Sequence, residues 1–427
     1  MNNIVDIFGV VLLLILVWFL SENEKKKFGT LITPFNTLAL PYLVIVLMIN
    51  LIAIHFKFYS VTLKCNLFVM LCLLFFFMGG RLVGLFFNQE HILLKHNADK
   101  LTKIFKYYRP LFISLAIISI LAGLYNLYTA INAVGGWTAI ATEQFEDAYG
   151  KGLFSHIMVI NRAAFIFLMA DFSRNKSKIN LLLLTFIFLL ILILQIKNHI
   201  ITIILAGLFF TYFYGKLRVN LRRIALYSLI FYFLFVITYL IGFSRLGLKS
   251  IYSTKIYLYL TNHFFTYLFG GPIGFSRIID NPVYPYYSYK EIFAVPINVY
   301  YSLILKKPIV DPIIYHWVSV SRLYHYFNKS NVFGLFGMLY AYIGYLQTLV
   351  YMFVLGVTSY LFLYLSLKKR FYIGNSLIYS FLLSFLAISF FGLYFNLLLL
   401  YEAALIMLII PVLYRFARLL LFSKSEL

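Results

Sequence analysis

The chain has 427 residues, 63% of them hydrophobic and 12% charged, with a formal net charge of +22 and a mean hydropathy of +0.91. Soluble domains hold about 45–50% apolar residues and about a quarter charged ones, so the composition excludes an ordinary soluble enzyme and points to a polytopic membrane protein. In a soluble chain the basic excess would suggest nucleic acid, but in a membrane chain it is tested first against the positive-inside rule.

A span needs about 17–25 apolar residues. Eleven runs qualify: 4–20, 31–55, 66–87, 110–130, 156–172, 180–196, 200–215, 224–243, 346–366, 376–395 and 398–417. The expected fold is therefore an all-α polytopic integral membrane protein with about 11 transmembrane helices. The sixth and seventh runs read as a tight hairpin turning at Lys197-Asn198-His199, and the last two as another turning near Asn396. No cleavable leader is expected, because Met1–Asn3 lacks a basic region and Val10–Leu20 leads straight into charge. Basic residues cluster at Lys25–Lys27, Lys95–Arg109, Arg174–Lys178, Lys216–Arg223, Lys368–Arg370 and Arg415–Lys424. All six clusters fall on one side of the eleven-span arrangement. That side is expected to be cytoplasmic, with the N-terminus outside and the C-terminus inside. The excess charge is then topology, and no nucleic-acid partner is implied; membrane lipid is the expected neighbour.

Two segments fall outside. The smaller, Gly135 to His156, holds Glu143, Glu146, Asp147 and Lys151. The larger gives a three-part organisation: an N-terminal bundle over 1–243, a polar loop over 244–345, and C-terminal helices over 346–427. Its prolines and the Tyr284–Tyr289 run predict short helices and turns. Leu258–Ile273 reads as a membrane-dipping stretch, and Gly270-Gly271-Pro272-Ile273-Gly274 as a turn where backbone can approach a ligand. Cys65 and Cys72, seven residues apart, read as unpaired apolar fillers. Gly80 and Gly84 make a small-residue face for helix packing.

Two stretches carry a resemblance: Gly270–Phe275 after an apolar aromatic run, and Asn331-Val332-Phe333 followed by Phe336–Tyr340 and Gly344. With the size, the span count and one large late loop, the chain resembles the Wzy-type O-antigen (oligosaccharide repeat-unit) polymerases. That resemblance implies a GT-C-like glycosyltransferase of lipopolysaccharide and polysaccharide biosynthesis in the bacterial inner membrane. Such an enzyme joins undecaprenyl-diphosphate-linked repeat units at the periplasmic face, needs no cofactor, and works beside a polysaccharide chain-length regulator. Many members carry a Gly/Ser-Arg-rich turn between two central spans. Here the corresponding hairpin reads Lys197-Asn198-His199, with Lys197 or His199 as stand-ins.

Transfer from a lipid diphosphate needs cations to hold the leaving group as charge develops, and a base for the acceptor hydroxyl. Arginine suits phosphate through its planar fork. The catalytic candidates are Arg277, Arg322, His325 and Asp311; Arg245, Lys249, Arg162, Asn331 and Tyr340 are candidates for binding diphosphate or sugar. Each is otherwise a solvated loop charge or an interfacial anchor. The base stays open among Asp280, Asp311, Glu291, His316, His325, Glu143, Glu146 and Asp147. Two arginines fall inside spans. Arg81 lies near a cytoplasmic end, where snorkelling explains it, and Arg162 about one and a half turns below the outer surface, where a lipid diphosphate can reach. Trp317, Tyr324 and Tyr340 are aromatic enough to stack on sugars. No metal-ligand spacing, Walker motif or dinucleotide fingerprint is present, which fits a metal-independent transfer. The alternatives are an O-antigen ligase of similar architecture, a lipid-linked oligosaccharide flippase, and a non-enzymatic export component.

Overall fold

The computed structural model describes residues 2–87, 98–137, 142–193, 196–215, 217, 221–245, 254–281, 288–310, 317–322, 329–368 and 372–421. Helices α1 (Asn2–Phe28), α2 (Pro34–Leu51), α3 (Leu63–Phe86) and α4 (Ala98–Ala133) come first. They are followed by α5 (Glu143–Gly150), α6 (Leu153–Met158), α7 (Ile160–Asn175), α8 (Lys178–Ile193), α9 (Lys197–Tyr214) and α10 (Leu221–Arg245). The expected loop region holds α11 (Thr254–Asp280), α12 (Tyr289–Ile292), α13 (Ala294–Leu305) and a ribbon of β1 (Val318–Ser319) with β2 (Lys329–Ser330). Then come α14 (Gly334–Lys368), α15 (Ile373–Ala387) and α16 (Leu398–Leu421).

Among the described residues, seven segments are long and apolar enough to cross a membrane: Ile4–Phe28, Pro34–Leu51, Leu63–Phe86, Thr102–Ala133, Leu153–Asn175, Gly334–Leu367 and Leu398–Leu420. The chain is an all-α polytopic membrane protein. These seven coincide with seven of the predicted runs. Of the other four, α10 has 25 residues, while α8, α9 and α15 are shorter. The predicted 376–395 run becomes helix only to Ala387, and the reason lies in α14. The first amides of a helix have no internal acceptor; here Leu335 N–H donates to Ser389 O at 2.7 Å and Gly334 N–H to Phe391 O at 3.3 Å. The turn after α15 supplies those carbonyls.

The chain forms two compact units that interleave rather than follow chain order. The first comprises 1–94, 261–367 and 385–398; the second 95–260, 368–384 and 399–427. In the first, α3 and α14 approach through glycine: a Cβ on Gly79 would strike Phe353 O, and one on Gly356 would strike Phe76 O. Gly80, of the packing face predicted from Gly80 and Gly84, meets the Tyr360 ring, and Gly79 beside it adds a second close approach. Tyr360 also donates to the buried carboxylate of Glu24 at 2.6 Å. Cys65 and Cys72 are free and buried, as expected.

The stretch Gly270–Gly274 is not a turn. It lies inside α11, a continuous helix of 27 residues despite Pro272. A Cβ on Gly274 would meet Val332 O at 2.6 Å and the Phe333 ring at 2.8 Å, and one on Gly271 would meet the backbone of Phe390. Phe275 in turn fills the space over Gly337. The two stretches that carry the family resemblance are therefore the two faces of one packing interface. The glycines admit backbone, not a ligand.

In the second unit, α7 packs against α4 and α9, with Phe112 stacked on Phe167 at 4.2 Å. One end is tied by Asp171, fully buried, which accepts from Asn175 and Asn180 at 2.6 Å and pairs with Arg109 at 3.3 Å. At the other end, Asn126 of α4 donates to Tyr149 O at 2.6 Å and holds α5 over a core of Leu127, Ile131, Phe145 and Met158.

Candidate functional site

In the first unit, one end is built from the N-termini of α1 and α3 and the C-terminus of α11. Asp6 of α1 is buried and accepts from Ser60 Oγ at 2.6 Å and Leu63 N–H at 3.2 Å, capping α3. Thr62 N–H donates to Ser276 Oγ at 3.0 Å, Thr62 Oγ1 to Asp280 Oδ1 at 3.2 Å, and Lys64 Nζ to Ile279 O at 2.7 Å. This end of α1 lies opposite its Lys25–Lys27 cluster.

The linker between α2 and α3 is fixed at the same place. Asn50 is buried; its amide donates to Val61 O at 2.9 Å and its carbonyl accepts from Val61 N–H at 2.8 Å. Tyr59 N–H donates to Val320 O at 3.1 Å and Arg322 N–H to Lys57 O at 2.8 Å, so the strand after β1 is stitched to this linker through the Phe58–Ser321 bridge. The result is specific. Arg277, on the last turn of α11, puts its guanidinium carbon 4.6 Å from the Tyr59 ring centre, and Arg322 puts its own at 5.7 Å. Both arginines are exposed, and among the described residues neither is ion-paired. Lys57, two residues before Tyr59, is exposed, its backbone left-handed at φ 65°.

Two guanidinium groups on one ring form a fork-rich cationic face. Asp280 is the neighbouring acid: burial raises its carboxyl above the usual range, opposed by the Thr62 hydrogen bond and by the charges of Lys64 and Arg277. The face can hold a phosphate oxyanion, with bonds to more than one oxygen.

The second unit carries a separate polar group. Arg162 of α7 is 4% exposed and donates from Nη1 to Met158 O at 3.3 Å. It lies within electrostatic reach of Tyr149, Glu402 and His199. His199 Nδ1 and Asn161 Nδ2 are buried without hydrogen-bond partners among the described residues, and Ser119 Oγ donates to Asn161 Oδ1. His156 of α6 places Nδ1 2.7 Å from Glu402 Oε1 of α16. The group lies at the start of α7, away from the Asp171–Arg109 pair near its end.

Of the predicted residues, Arg277 and Arg322 are brought together, although 44 residues separate them in sequence. Arg162 is built into the second unit. The two expectations for the 197–199 hairpin meet different ends: Lys197 opens α9, and His199 lies near Arg162. Tyr340 is a packing residue, its ring 5.3 Å from Phe68 and 5.8 Å from Phe275. Asn331 is half-buried just after β2. Arg245 closes α10; Lys249, Asp311, His316, Tyr324 and His325 lie outside the described residues. Asp147 is an exposed partner of Lys151 at 2.8 Å, a solvated pair. Arg81 sits over the Phe77 ring at 4.5 Å.

Sequence reasoning missed Tyr59 and the His156–Glu402 pair. Glu402 had a legible signal, as the sole acidic residue of α16, an apolar helix long enough to span. Tyr59 had none, since a tyrosine in a short interhelical linker is first of all an interfacial anchor.

No curated protein and no solved structure matches the chain. One family model does, over residues 55–420, a stretch that includes Tyr59, Arg162, Arg277, Arg322 and Glu402. The chain belongs to the Family of unknown function (DUF6337).

Proposed function

We propose that this membrane protein is a glycosyltransferase that polymerises undecaprenyl-diphosphate-linked oligosaccharide repeat units at the periplasmic face of a bacterial inner membrane. The observation that carries the reading is the convergence of Arg277 and Arg322 on Tyr59. Two exposed guanidinium groups at one end of a membrane unit, without an ion-pair partner among the described residues, suit the charge of a diphosphate leaving group. Their position opposite Lys25–Lys27 fits an outer location, with the N-terminus outside, the C-terminus inside and eleven spans. In the reaction, the growing chain leaves its lipid diphosphate and joins the terminal sugar of an incoming unit. The arginines take up the charge that develops on the diphosphate, and a GT-C-like arrangement and a chain-length-regulating partner belong to the same reading.

The test is lipopolysaccharide banding in a host lacking the gene, complemented with wild type, Arg277→Ala or Arg322→Ala. Polymerisation predicts a core bearing one repeat unit in the deletion, and a ladder restored by wild type but not by either variant at equal expression. A deletion with no repeat unit on the core would overturn the polymerase reading in favour of ligase or flippase.

A further inference from the structure

In the first unit, the end of α1 away from Asp6 holds a second group of cations, drawn from α1, α3 and α14. Lys27 of α1 is half-buried and places Nζ 5.5 Å from the ring centres of Phe28 and of Tyr364 in α14. Arg81 of α3, also half-buried, lies over the Phe77 ring and within electrostatic reach of Lys27. Two like charges in an apolar bundle repel more strongly than they would in water. Glu24 is in reach of both, but its buried carboxylate accepts from Tyr360 Oη at 2.6 Å. Among the described residues neither Lys27 nor Arg81 has an ion-pair partner. Two cations against one carboxylate leave the group net positive. Tyr364 adds a donor with nothing to bond: its Oη is buried without a hydrogen-bond partner among the described residues, in reach of Arg81. The ring is clamped, stacked on Phe87 at 4.9 Å and 5.9 Å from Phe28. Snorkelling accounts for a single basic side chain at a span end. It does not account for two from different helices beside an unbonded hydroxyl. Such a set suits an oxyanion with several acceptor oxygens, and basic pockets between spanning helices take lipid phosphates.

We propose that Lys27, Arg81 and Tyr364 form a binding site for the phosphate of an anionic membrane lipid. The site lies at the opposite end of α1 from the Arg277–Arg322 face and does not depend on the transferase reading. The phosphate supplies the negative charge that the two cations lack, and the Tyr364 hydroxyl donates to one of its oxygens. The acyl chains run out over exposed apolar side chains of the same helices, such as Trp18 and Phe19 of α1 and Leu85 of α3. A free phosphate offers the same oxygens, and only the acyl chains tell the two sources apart.

The test uses the delipidated full chain in neutral detergent, offered phosphatidylglycerol and phosphatidylcholine together, with bound lipid counted by native mass spectrometry. Wild type is expected to retain phosphatidylglycerol roughly tenfold or more over phosphatidylcholine. Arg81→Gln should lower that preference roughly fivefold, the share of one cation. Tyr364→Phe keeps the ring and should lower it roughly threefold or more. Lys26→Gln is the control: Lys26 is exposed on the same turn of α1 and should change the preference by less than about twofold, because it is outside the group. Equal retention of the two lipids by wild type overturns the proposal. So does a loss in Lys26→Gln as large as in Arg81→Gln, which would mean diffuse surface attraction. If Arg81→Gln fails to fold, Tyr364→Phe decides, and an unchanged preference there overturns the site. Inorganic phosphate in large excess is the soluble probe. It should leave the bound phosphatidylglycerol in place; displacement of the lipid, with a raised unfolding midpoint from phosphate alone, would make a free phosphate the ligand and overturn the lipid assignment.

Discussion

Gly271→Ala separates a packing glycine from a ligand-admitting one. The added methyl would lie against Phe390 O, closer than any real Cβ contact, and 3.2 Å from Gly334 N. Both neighbours are backbone, and both belong to the segments whose carbonyls and amides join the turn after α15 to the start of α14. Overpacking of this kind costs about 1–3 kcal/mol, offset by the roughly 0.5–1 kcal/mol that alanine gains over glycine inside a helix. The net expectation is a loss of about 1–2 kcal/mol, seen as a lower thermal unfolding midpoint of the purified protein in detergent. Gly123→Ala is the control. It too is inside a helix, but the nearest atoms its methyl would meet belong to the flexible Leu190 side chain, Cδ1 at 2.8 Å, so its midpoint should hold or rise. If Gly271→Ala keeps the wild-type midpoint and loses only activity, the glycine admits a ligand and the packing account is wrong.

Three further outcomes follow from the same geometry. A double-mutant cycle of Tyr59→Ala with Arg277→Ala should give a coupling of about 0.5–1 kcal/mol, the size of one exposed cation–π contact; zero coupling would separate the ring from the guanidinium. Asp280 has a raised pKa through burial, so its protonated form is favoured in the folded state. Its stabilising contribution is full below the unfolded value near ~3.9 and is lost as pH rises through the higher folded one. Stability followed from about pH 4 upward should therefore fall more steeply for wild type than for Asp280→Asn; parallel curves would contradict this. Helix α13 buries none of its residues, Leu303 is 80% exposed, and Phe293 ahead of it lies 6.2 Å from the Tyr351 ring of α14. A fluorophore on Leu303→Cys should be quenched by acyl-chain nitroxide lipid rather than by aqueous iodide, with buried Cys65 and Cys72 left unlabelled; the reverse pattern would put α13 in water.

The long spans were legible because continuous apolar length is a direct demand of the bilayer. Runs such as 63–86 and 398–420 needed no tertiary information. The Gly270–Gly274 stretch misled because glycine and proline punctuate soluble chains. A helix with Pro272 is tolerated when its glycines allow close packing against Val332 and Phe390. Arg162, Arg277 and Arg322 could be singled out by residue type and place in the chain alone. Their grouping could not. It depends on Asn50 holding Val61 and on a two-strand ribbon delivering Arg322 to the 57–59 linker, contacts with no local signal. The His156–Glu402 pair was hidden for the same reason, since neither residue predicts the other.

The most direct test of the central claim uses purified protein in nanodiscs supplied with a lipid-diphosphate-linked repeat unit, with product length read on a gel. Wild type should build a ladder. The Arg277→Ala, Arg322→Ala double variant should leave single units while keeping the wild-type unfolding midpoint. A wild-type protein that extends nothing, or a double variant that extends at the wild-type rate, would contradict the assignment of the arginine face to the diphosphate.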